Sequence, residues 1–151
     1  MARHEQAIFT VLCMIKNSQG QVLLQNRTDP HWPGMCFPGG HVEHCESFTE
    51  AAVRETFEET GLTIQNPKLC GVKQFQTKDN ARYVVFFYVA DQFTGTLRAS
   101  EEGEVFWVDR KDLACYPLVE DFMDMIKVME SPDLSEFYYY EKSGSWGLKL
   151  L

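Results

Sequence analysis

The sequence has no long apolar run and no surplus of positive charge. No stretch approaches the roughly 20 apolar residues that a membrane-spanning helix needs, and the short polar start does not resemble a secretory signal peptide. The chain has 22 Asp and Glu residues but only 14 Lys and Arg residues, which gives a formal net charge of −8. This balance argues against a membrane partner and against stable electrostatic binding to nucleic acid. A small polyanionic substrate would need a cation between it and the protein.

The sequence also lacks the signs of a disulfide framework and of a boundary between domains. The five cysteines are an odd number without a secretory segment before them, which is typical of a reducing compartment. We therefore expect a cytoplasmic protein. No repeat and no Ser-, Gly- or Pro-rich linker divides the chain, so we expect a single domain over residues 1–151, as a monomer or a homodimer.

Several segments have the pattern of β-strands. Residues 7–16 and 21–26 are apolar and β-branched, and the polar stretch between them predicts a hairpin. Residues 68–76, 82–90 and 104–108 predict further strands. Because no polar residue alternates in the run 83–89, we expect that strand to be buried on both faces. Two prolines and a glycine predict a loop over residues 28–35.

Helix signals follow the first strands and recur near the end. Ser47 opens the sequence S-F-T-E, a capping box that predicts a helix start, and Gly61 predicts its end. Residues 111–115 and 119–129 are further helical candidates. The aromatic run 137–140 and the S-G-S-W sequence after it predict a hairpin that covers the core, forms a dimer contact or closes over a base. The order of elements predicts an α+β fold, with a mixed sheet between helices in an α/β/α sandwich.

The first helix carries a cluster of carboxylates. At about 100° per residue, Glu58 and Glu59 lie at about −60° and +40° from Glu55, so the three share one face. Like charges at this spacing destabilise a helix by a few tenths of a kcal/mol per pair. A hard divalent cation such as Mg²⁺ would compensate, since it binds oxygen ligands and bridges carboxylates to phosphates. A plain solvated face is the alternative.

The remaining helix positions suggest how the helix is oriented. Ala51 and Ala52 are expected on the acidic side, where their small side chains leave space above the backbone. Val53 and Phe57 are expected on the opposite side, as anchors in the core.

The spacing of residues 40–62 resembles the Nudix hydrolase signature G-x5-E-x7-R-E-U-x-E-E-x-G-U, in which U is an aliphatic residue. The matching positions are Gly40, Glu46, Arg54, Glu55, Glu58, Glu59, Gly61 and Leu62. Thr56 departs from the pattern, because the residue after the Arg-Glu pair is usually aliphatic. The Phe37-Pro38-Gly39-Gly40 approach and the later segment 101–107 look like the MutT-type branch, and a Nudix-type sandwich is the fold that this resemblance implies.

The resemblance implies a metal site and its supports. Glu55, Glu58 and Glu59 would bind the metal together with the carbonyl of Gly39, and Glu46 would pair with Arg54. Glu102 is expected as an additional metal ligand, with Glu101 or Glu104 as alternatives. The ion would be Mg²⁺, with Mn²⁺ possible.

The resemblance also implies which residues contact the substrate. Arg27 resembles an arginine that reaches the nucleotide, although a strand-end arginine is more commonly a surface charge. Trp32 and Phe37 are candidates for stacking on a base, and Gly40 is a further candidate for substrate binding. Phe75 is expected in the core.

The implied activity is hydrolysis of nucleoside triphosphates to a nucleoside monophosphate and pyrophosphate, with oxidised forms such as 8-oxo-dGTP among the candidate substrates. Glu55 is the expected general base, with Glu102 as the alternative. Hydrolysis of ADP-ribose or another nucleotide sugar is a second hypothesis. A non-catalytic nucleotide-binding module is a third, although such modules usually lose one of the metal glutamates.

Overall fold

The computed structural model describes residues 3–151 and is built on a six-stranded mixed sheet. Its strands are β1 (Ala7–Ile15), β4 (Gly39–His41), β6 (Lys68–Gln76), β7 (Arg82–Ala90), β10 (Glu136–Lys142) and β11 (Ser145–Leu150). Their spatial order is β11-β10-β6-β7-β1-β4. The pairs β1–β7 and β6–β10 are parallel, and the others are antiparallel. The C-terminal hairpin is thereby confirmed.

The other strands form two smaller sheets. Strands β2 (Gln21–Arg27), β3 (Gly34–Cys36) and β9 (Gly103–Asp109) pair in the order β3-β2-β9, and β5 (Leu62–Gln65) pairs with β8 (Gln92–Gly95). The predicted hairpin of β1 and β2 is wrong, because only one bridge, Lys16 to Val22, joins them. Strand β1 is paired on both edges, with β7 and β4, and leaves no free edge for β2.

Two α-helices and one 3-10 helix complete the fold. They are α1 (Phe48–Thr60), α2 (Phe122–Glu130) and the 3-10 helix Arg110–Cys115. The capping box is confirmed: the Ser47 hydroxyl accepts from the Glu50 amide, and the Glu50 carboxylate accepts from the Ser47 amide, both at 3.1 Å. Helix α2 begins later than predicted, because Asp121 adopts a left-handed conformation with φ 57°. No helix in residues 3–151 is long and apolar enough to cross a membrane.

The central sheet lies between α1 and α2, as the sandwich prediction requires. Along β1, Leu12 and Met14 pack into the core cluster that contains α2. The alternating residues Val11, Cys13 and Ile15 pack into the cluster that contains the buried side of α1. Because successive side chains of a strand point to opposite faces, this alternation places one helix on each side. The predicted α+β fold is confirmed.

The orientation of α1 differs from the prediction. Its buried face consists of Ala51, Ala52, Thr56, Glu59 and Thr60, and Phe57 is 47% exposed instead of anchored in the core. The small alanines fill the contact with the sheet, so the helix approaches closely and turns one side of its acidic face inward. Glu59 is consequently buried, whereas Glu58 beside it is exposed.

Candidate active site

Glu59 is the buried member of the glutamate cluster. Its side chain reaches back to β4, where its Oε2 accepts a hydrogen bond of 2.9 Å from the amide of Gly39. Only 4% of the residue is exposed. Burial raises the pKa of Glu59 to about 8, and the carboxylates of Glu55 and Glu102 add to the rise against the effects of the Gly39 amide and Arg27. A nearby cation would relieve this cost.

Glu55 lies over the glycine-rich strand. A Cβ on Gly40 would be 2.5 Å from the carboxyl carbon of Glu55, so only glycine leaves space for this side chain. Burial raises the pKa of Glu55, and the contact with Arg54 opposes that rise. Gly39 is constrained too, because a Cβ there would lie 2.1 Å from the carbonyl oxygen of Val11. The two glycines let β4 pass close to both β1 and the helix.

Arg54 ties the helix to the preceding loop. Its Nε and Nη2 donate to the two carboxylate oxygens of Glu46 at 2.7 and 2.9 Å, the bidentate geometry expected for this pair. Nη2 also donates to the His41 carbonyl at 2.9 Å. Hydrogen bonding to Arg54 lowers the pKa of Glu46. In addition, Nη1 donates to Glu55 at 2.8 Å and to Glu58 at 3.3 Å, contacts that the sequence did not predict.

A tight turn brings a further acid to the cluster. Ser100 and Gly103 exchange backbone hydrogen bonds of 3.3 and 3.2 Å, which close the turn over residues 100–103. Gly103 has φ 141°, and a Cβ there would lie 1.9 Å from the Asn26 carbonyl oxygen, so the turn needs glycine. Glu101 and Glu102 project from this turn toward α1.

These elements enclose a cavity of about 260 Å³ lined by oxygen-bearing side chains. The lining residues are Glu55, Glu58, Glu59, Ser100, Glu101 and Glu102. Glu104 is not among them, which leaves Glu102 and Glu101 as the acids delivered from the turn. Such an all-oxygen donor set suits a hard divalent cation. Within residues 3–151, however, no three acidic, His or Cys side chains already surround a single point.

Arg27 interacts with Trp32 and acts electrostatically on Glu59. It is the last residue of β2, in register with Gly34 and Gly103 on the two flanking strands. Its Nε is buried and has no hydrogen-bond partner in the described part of the chain. Its guanidinium carbon is 5.2 Å from the centroid of the Trp32 ring. An unpaired, buried guanidinium donor is suited to an anionic ligand.

A second, larger cavity of about 530 Å³ opens next to Trp32. It is lined by Trp32, Lys73, Phe75, Tyr83, Val85, Glu120, Tyr139 and Trp146. Its volume lies in the range of small-molecule sites. Phe75 and Tyr83 stack with centroids 5.1 Å apart, so Phe75 lines this cavity and is not simply part of the core.

Phe37 is not placed to contact a base, contrary to the prediction. Its side chain is fully buried, and its ring lies 4.6 Å from that of Phe122 in the core. Trp32, in contrast, is 38% exposed and borders the larger cavity. The Pro- and Gly-rich loop that carries Trp32 leaves it at the surface, whereas Phe37 follows β3 into the sandwich.

Sequence reasoning missed several residues of this cavity, above all Lys73. A lysine in an apolar strand looks like a solvent-facing position, yet only 5% of Lys73 is exposed. Burial lowers its pKa, and Cys36, Asp121 and Glu120 oppose this change electrostatically. The sequence did show that side chains alternate between the two faces of β6, which places Lys73 on the same face as Phe75.

Comparisons with known proteins agree with this architecture. The NUDIX domain model matches residues 8–129. The uncharacterized Nudix hydrolase YvcI of Bacillus subtilis is 36% identical over 111 residues, 70% of this chain and 68% of that protein. The 8-oxo-dGTP diphosphatase of Haemophilus influenzae is 31% identical over 103 residues, 66% of this chain and 74% of that protein.

A solved structure shows the same fold. The crystal structure of a MutT protein from Bacillus halodurans has a TM-score of 0.74 and 26% sequence identity, and the match covers 93% of this chain and 97% of that one. The family match extends over most of the chain, including the whole glutamate helix and the turn that carries Glu102. The chain therefore belongs to the Nudix family, and it is a MutT-like Nudix hydrolase.

Proposed function

We propose that this hydrolase is a divalent-metal-dependent pyrophosphohydrolase that cleaves nucleoside triphosphates to a nucleoside monophosphate and pyrophosphate. One observation carries the proposal: Arg27 interacts with a residue of each cavity, Trp32 of the aromatic cavity and Glu59 of the acidic one. It contacts the Trp32 ring, and its charge acts on Glu59. A nucleotide needs both environments, one for its phosphates and one for its base.

The acidic cavity supplies the phosphate end of this site. Glu55, Glu58 and Glu59, with the Gly39 carbonyl and Glu102, are the residues that would hold the ion, for which we propose Mg²⁺ with Mn²⁺ as a substitute. A bound ion neutralises phosphate charge and lowers the pKa of the attacking water. The Arg54–Glu46 pair holds the loop against α1 and so keeps these carboxylates beside Gly39 and Gly40.

Glu55 is the proposed general base. A base works best when its pKa lies near the operating pH, and burial raises the pKa of Glu55 toward that range. Glu102 is exposed on its turn, which makes it the second choice. The substitution Glu55→Gln should therefore reduce turnover more than Glu102→Gln does.

The aromatic cavity supplies the base end. Stacking on aromatic side chains contributes about 1–3 kcal/mol per base, and Trp32 offers such a surface beside Arg27. The similarity to an 8-oxo-dGTP diphosphatase supports oxidised purine nucleotides among the substrates. We therefore propose 8-oxo-dGTP as a substrate to test first, with the unmodified nucleoside triphosphates beside it.

A substrate panel tests the reaction. Purified protein with Mg²⁺ is incubated with dGTP, 8-oxo-dGTP, dCTP and ADP-ribose, and released pyrophosphate and orthophosphate are measured separately. We expect pyrophosphate from the triphosphates, and a loss of at least a hundredfold in turnover for Glu59→Gln. Asp79→Asn, in an exposed turn far along the sequence from the glutamates, is the matched control and should keep the parent rate.

Three outcomes would refute the proposal. Release of orthophosphate alone would mean that a different bond is cleaved. Turnover confined to ADP-ribose would favour the nucleotide-sugar hypothesis. Unchanged hydrolysis by Glu59→Gln would show that the metal assignment is wrong.

The compartment is part of the same proposal. All five cysteines are free in the structure, and burial raises the pKa of Cys13 to about 12 and that of Cys36 to about 11. Free thiols fit the reducing environment of the cytoplasm. Fractionation of cells that express the tagged protein tests this location.

A further inference from the structure

Lys73 is a buried cation without an ionic partner. Its ammonium lies 4.8 Å from the ring centroid of Phe137, 5.1 Å from that of Tyr139 and 5.7 Å from that of Trp32. Its one hydrogen-bond acceptor is the sulfur of Met125 at 3.9 Å. Among residues 3–151, no carboxylate is within ion-pair distance of its Nζ.

The hydrogen-bonding capacity of Lys73 is therefore largely unused. An ammonium has three N–H donors, and a thioether is a weak acceptor. Leaving such donors buried and unpaired is costly, and the cost is larger for a charged group than for a neutral one. The side chain lines the large aromatic cavity, so an acceptor on a bound ligand would satisfy it.

The nearest acids do not remove this capacity. Asp121 is engaged by Tyr139, whose hydroxyl donates to its carboxylate. Glu120 lines the same cavity as Lys73. The cavity thus combines aromatic faces, a set of unpaired donors and one carboxylate acceptor. A flat heterocycle with a carbonyl next to an N–H matches this combination.

We propose that Lys73 is a specificity-determining residue that selects nucleotides with keto bases over those with amino bases. This inference rests on the proposed function and names the base class that the same site accepts. Keto bases, the 6-oxopurines and 4-oxopyrimidines, present a carbonyl oxygen to the Lys73 ammonium and an adjacent N–H to Glu120. Adenine and cytosine present an amino group at that position. Two hydrogen-bond donors then face each other, so no hydrogen bond to the Lys73 ammonium forms.

Expected magnitudes follow from the strength of such a contact. A hydrogen bond to a charged group contributes about 1.5–3 kcal/mol, which corresponds to about 10- to 150-fold in affinity. Burial of Lys73 places the expected effect well above the scatter of a binding titration.

Binding of nucleoside monophosphates without metal gives the test. The test compares dIMP with dAMP and dUMP with dCMP. Within each pair the base differs in having a keto or an amino edge, and the two pairs test purines and pyrimidines separately. Titrations follow tryptophan fluorescence, because Trp32 and Trp146 both line the cavity. We expect the wild-type protein to bind the keto member of at least one pair about tenfold more tightly or better.

The variant Lys73→Met keeps the length and apolar contacts of the side chain but removes its donors. We expect it to lose the keto preference, with affinity for dAMP and dCMP changed less than about twofold. Lys68→Met, at an exposed position of the same strand, is the matched control and should keep the preference. The ligand pairs test the wild-type protein directly, so the result does not depend on the folding of the Lys73 variant.

Several results would overturn the inference. They are equal affinity within both ligand pairs, a preference that survives in Lys73→Met, an equal loss for keto and amino ligands, and no detectable binding of any monophosphate. Failure of the proposed function appears differently, as absent pyrophosphate release by a protein that still discriminates keto from amino ligands.

Discussion

Replacing Glu59 by glutamine should stabilise the metal-free protein at alkaline pH while it abolishes turnover. Glu59 is 4% exposed, and burial raises its pKa from 4.5 to about 8. Below pH 4.5 the carboxyl is protonated in both the folded and the unfolded chain, so Glu59 does not affect the free energy of unfolding through ionisation. As pH rises from 4.5 to about 8, the unfolded chain releases the proton first, and the folded state progressively loses stability.

The size of this effect follows from the pKa change. A rise from 4.5 to about 8 corresponds to a ceiling on the order of 5 kcal/mol, since each pH unit is worth about 1.4 kcal/mol. Relaxation and water entry reduce that ceiling, and we expect about 2–4 kcal/mol above pH 8. Glutamine has no charge to bury, and its amide oxygen can still accept from Gly39, so Glu59→Gln removes the loss.

Urea denaturation in EDTA, followed by circular dichroism from pH 4.5 to 9, measures the difference between the two proteins. The curves should coincide near pH 4.5 and separate with rising pH, with the variant more stable. Glu58→Gln is the control, because the Glu58 side chain is 56% exposed and its removal should not reproduce the trend. A gap that is independent of pH, or the same gap in Glu58→Gln, would refute the reasoning. Added Mg²⁺ should stabilise the wild-type protein selectively.

Three further predictions concern the supports of the site. Arg54→Ala and Glu46→Ala should each lower the free energy of unfolding by about 1–3 kcal/mol, and a double-mutant cycle in urea should show that the two losses do not add. Phe37→Ala should lower it by about 3–5 kcal/mol, whereas Phe57→Ala should change it by less than about 1 kcal/mol; similar losses would contradict the observed orientation of α1. Gly40→Ala should weaken Mg²⁺ binding in calorimetry about tenfold with little change in Tm, because the added Cβ displaces the facing helix carboxylate. Unaltered Mg²⁺ affinity in Gly40→Ala would argue against a metal site beside this strand.

The parts of the site that depend on local sequence were predictable. The capping box at Ser47 and the left-handed Gly61 are set by a few neighbouring residues, and both bounds of α1 follow from them. The pairing of Glu46 with Arg54 was implied by the resemblance to the Nudix signature, and the bidentate pair forms as expected. Such features need no knowledge of distant residues.

The features that were missed depend on contacts between distant segments. Strand β2 does not pair with β1, because β7 and β4 occupy both edges of β1. Phe57 is exposed because the alanines of α1 fit the sheet more closely than a large ring does. Lys73 is buried because strands β7 and β10 and helix α2 enclose it, and no pattern within β6 reveals that enclosure. Sequence periodicity shows which residues share a face, and only the assembled core shows what covers that face.

The C-terminal hairpin β10–β11 has a consequence for how this enzyme can diversify. It lies after the segment that matches the family model, yet it contributes Tyr139 and Trp146 to the walls of the aromatic cavity. Part of the wall of the aromatic cavity is thus encoded in a stretch of the chain separate from the carboxylates, although Trp32 and Lys73 lie within the matched segment. Under the proposed function, we expect that mutations in the hairpin, or its exchange between paralogues, change ligand selectivity and leave the carboxylates in place. This separation recommends residues 136–150 as the first target for redesigning substrate preference.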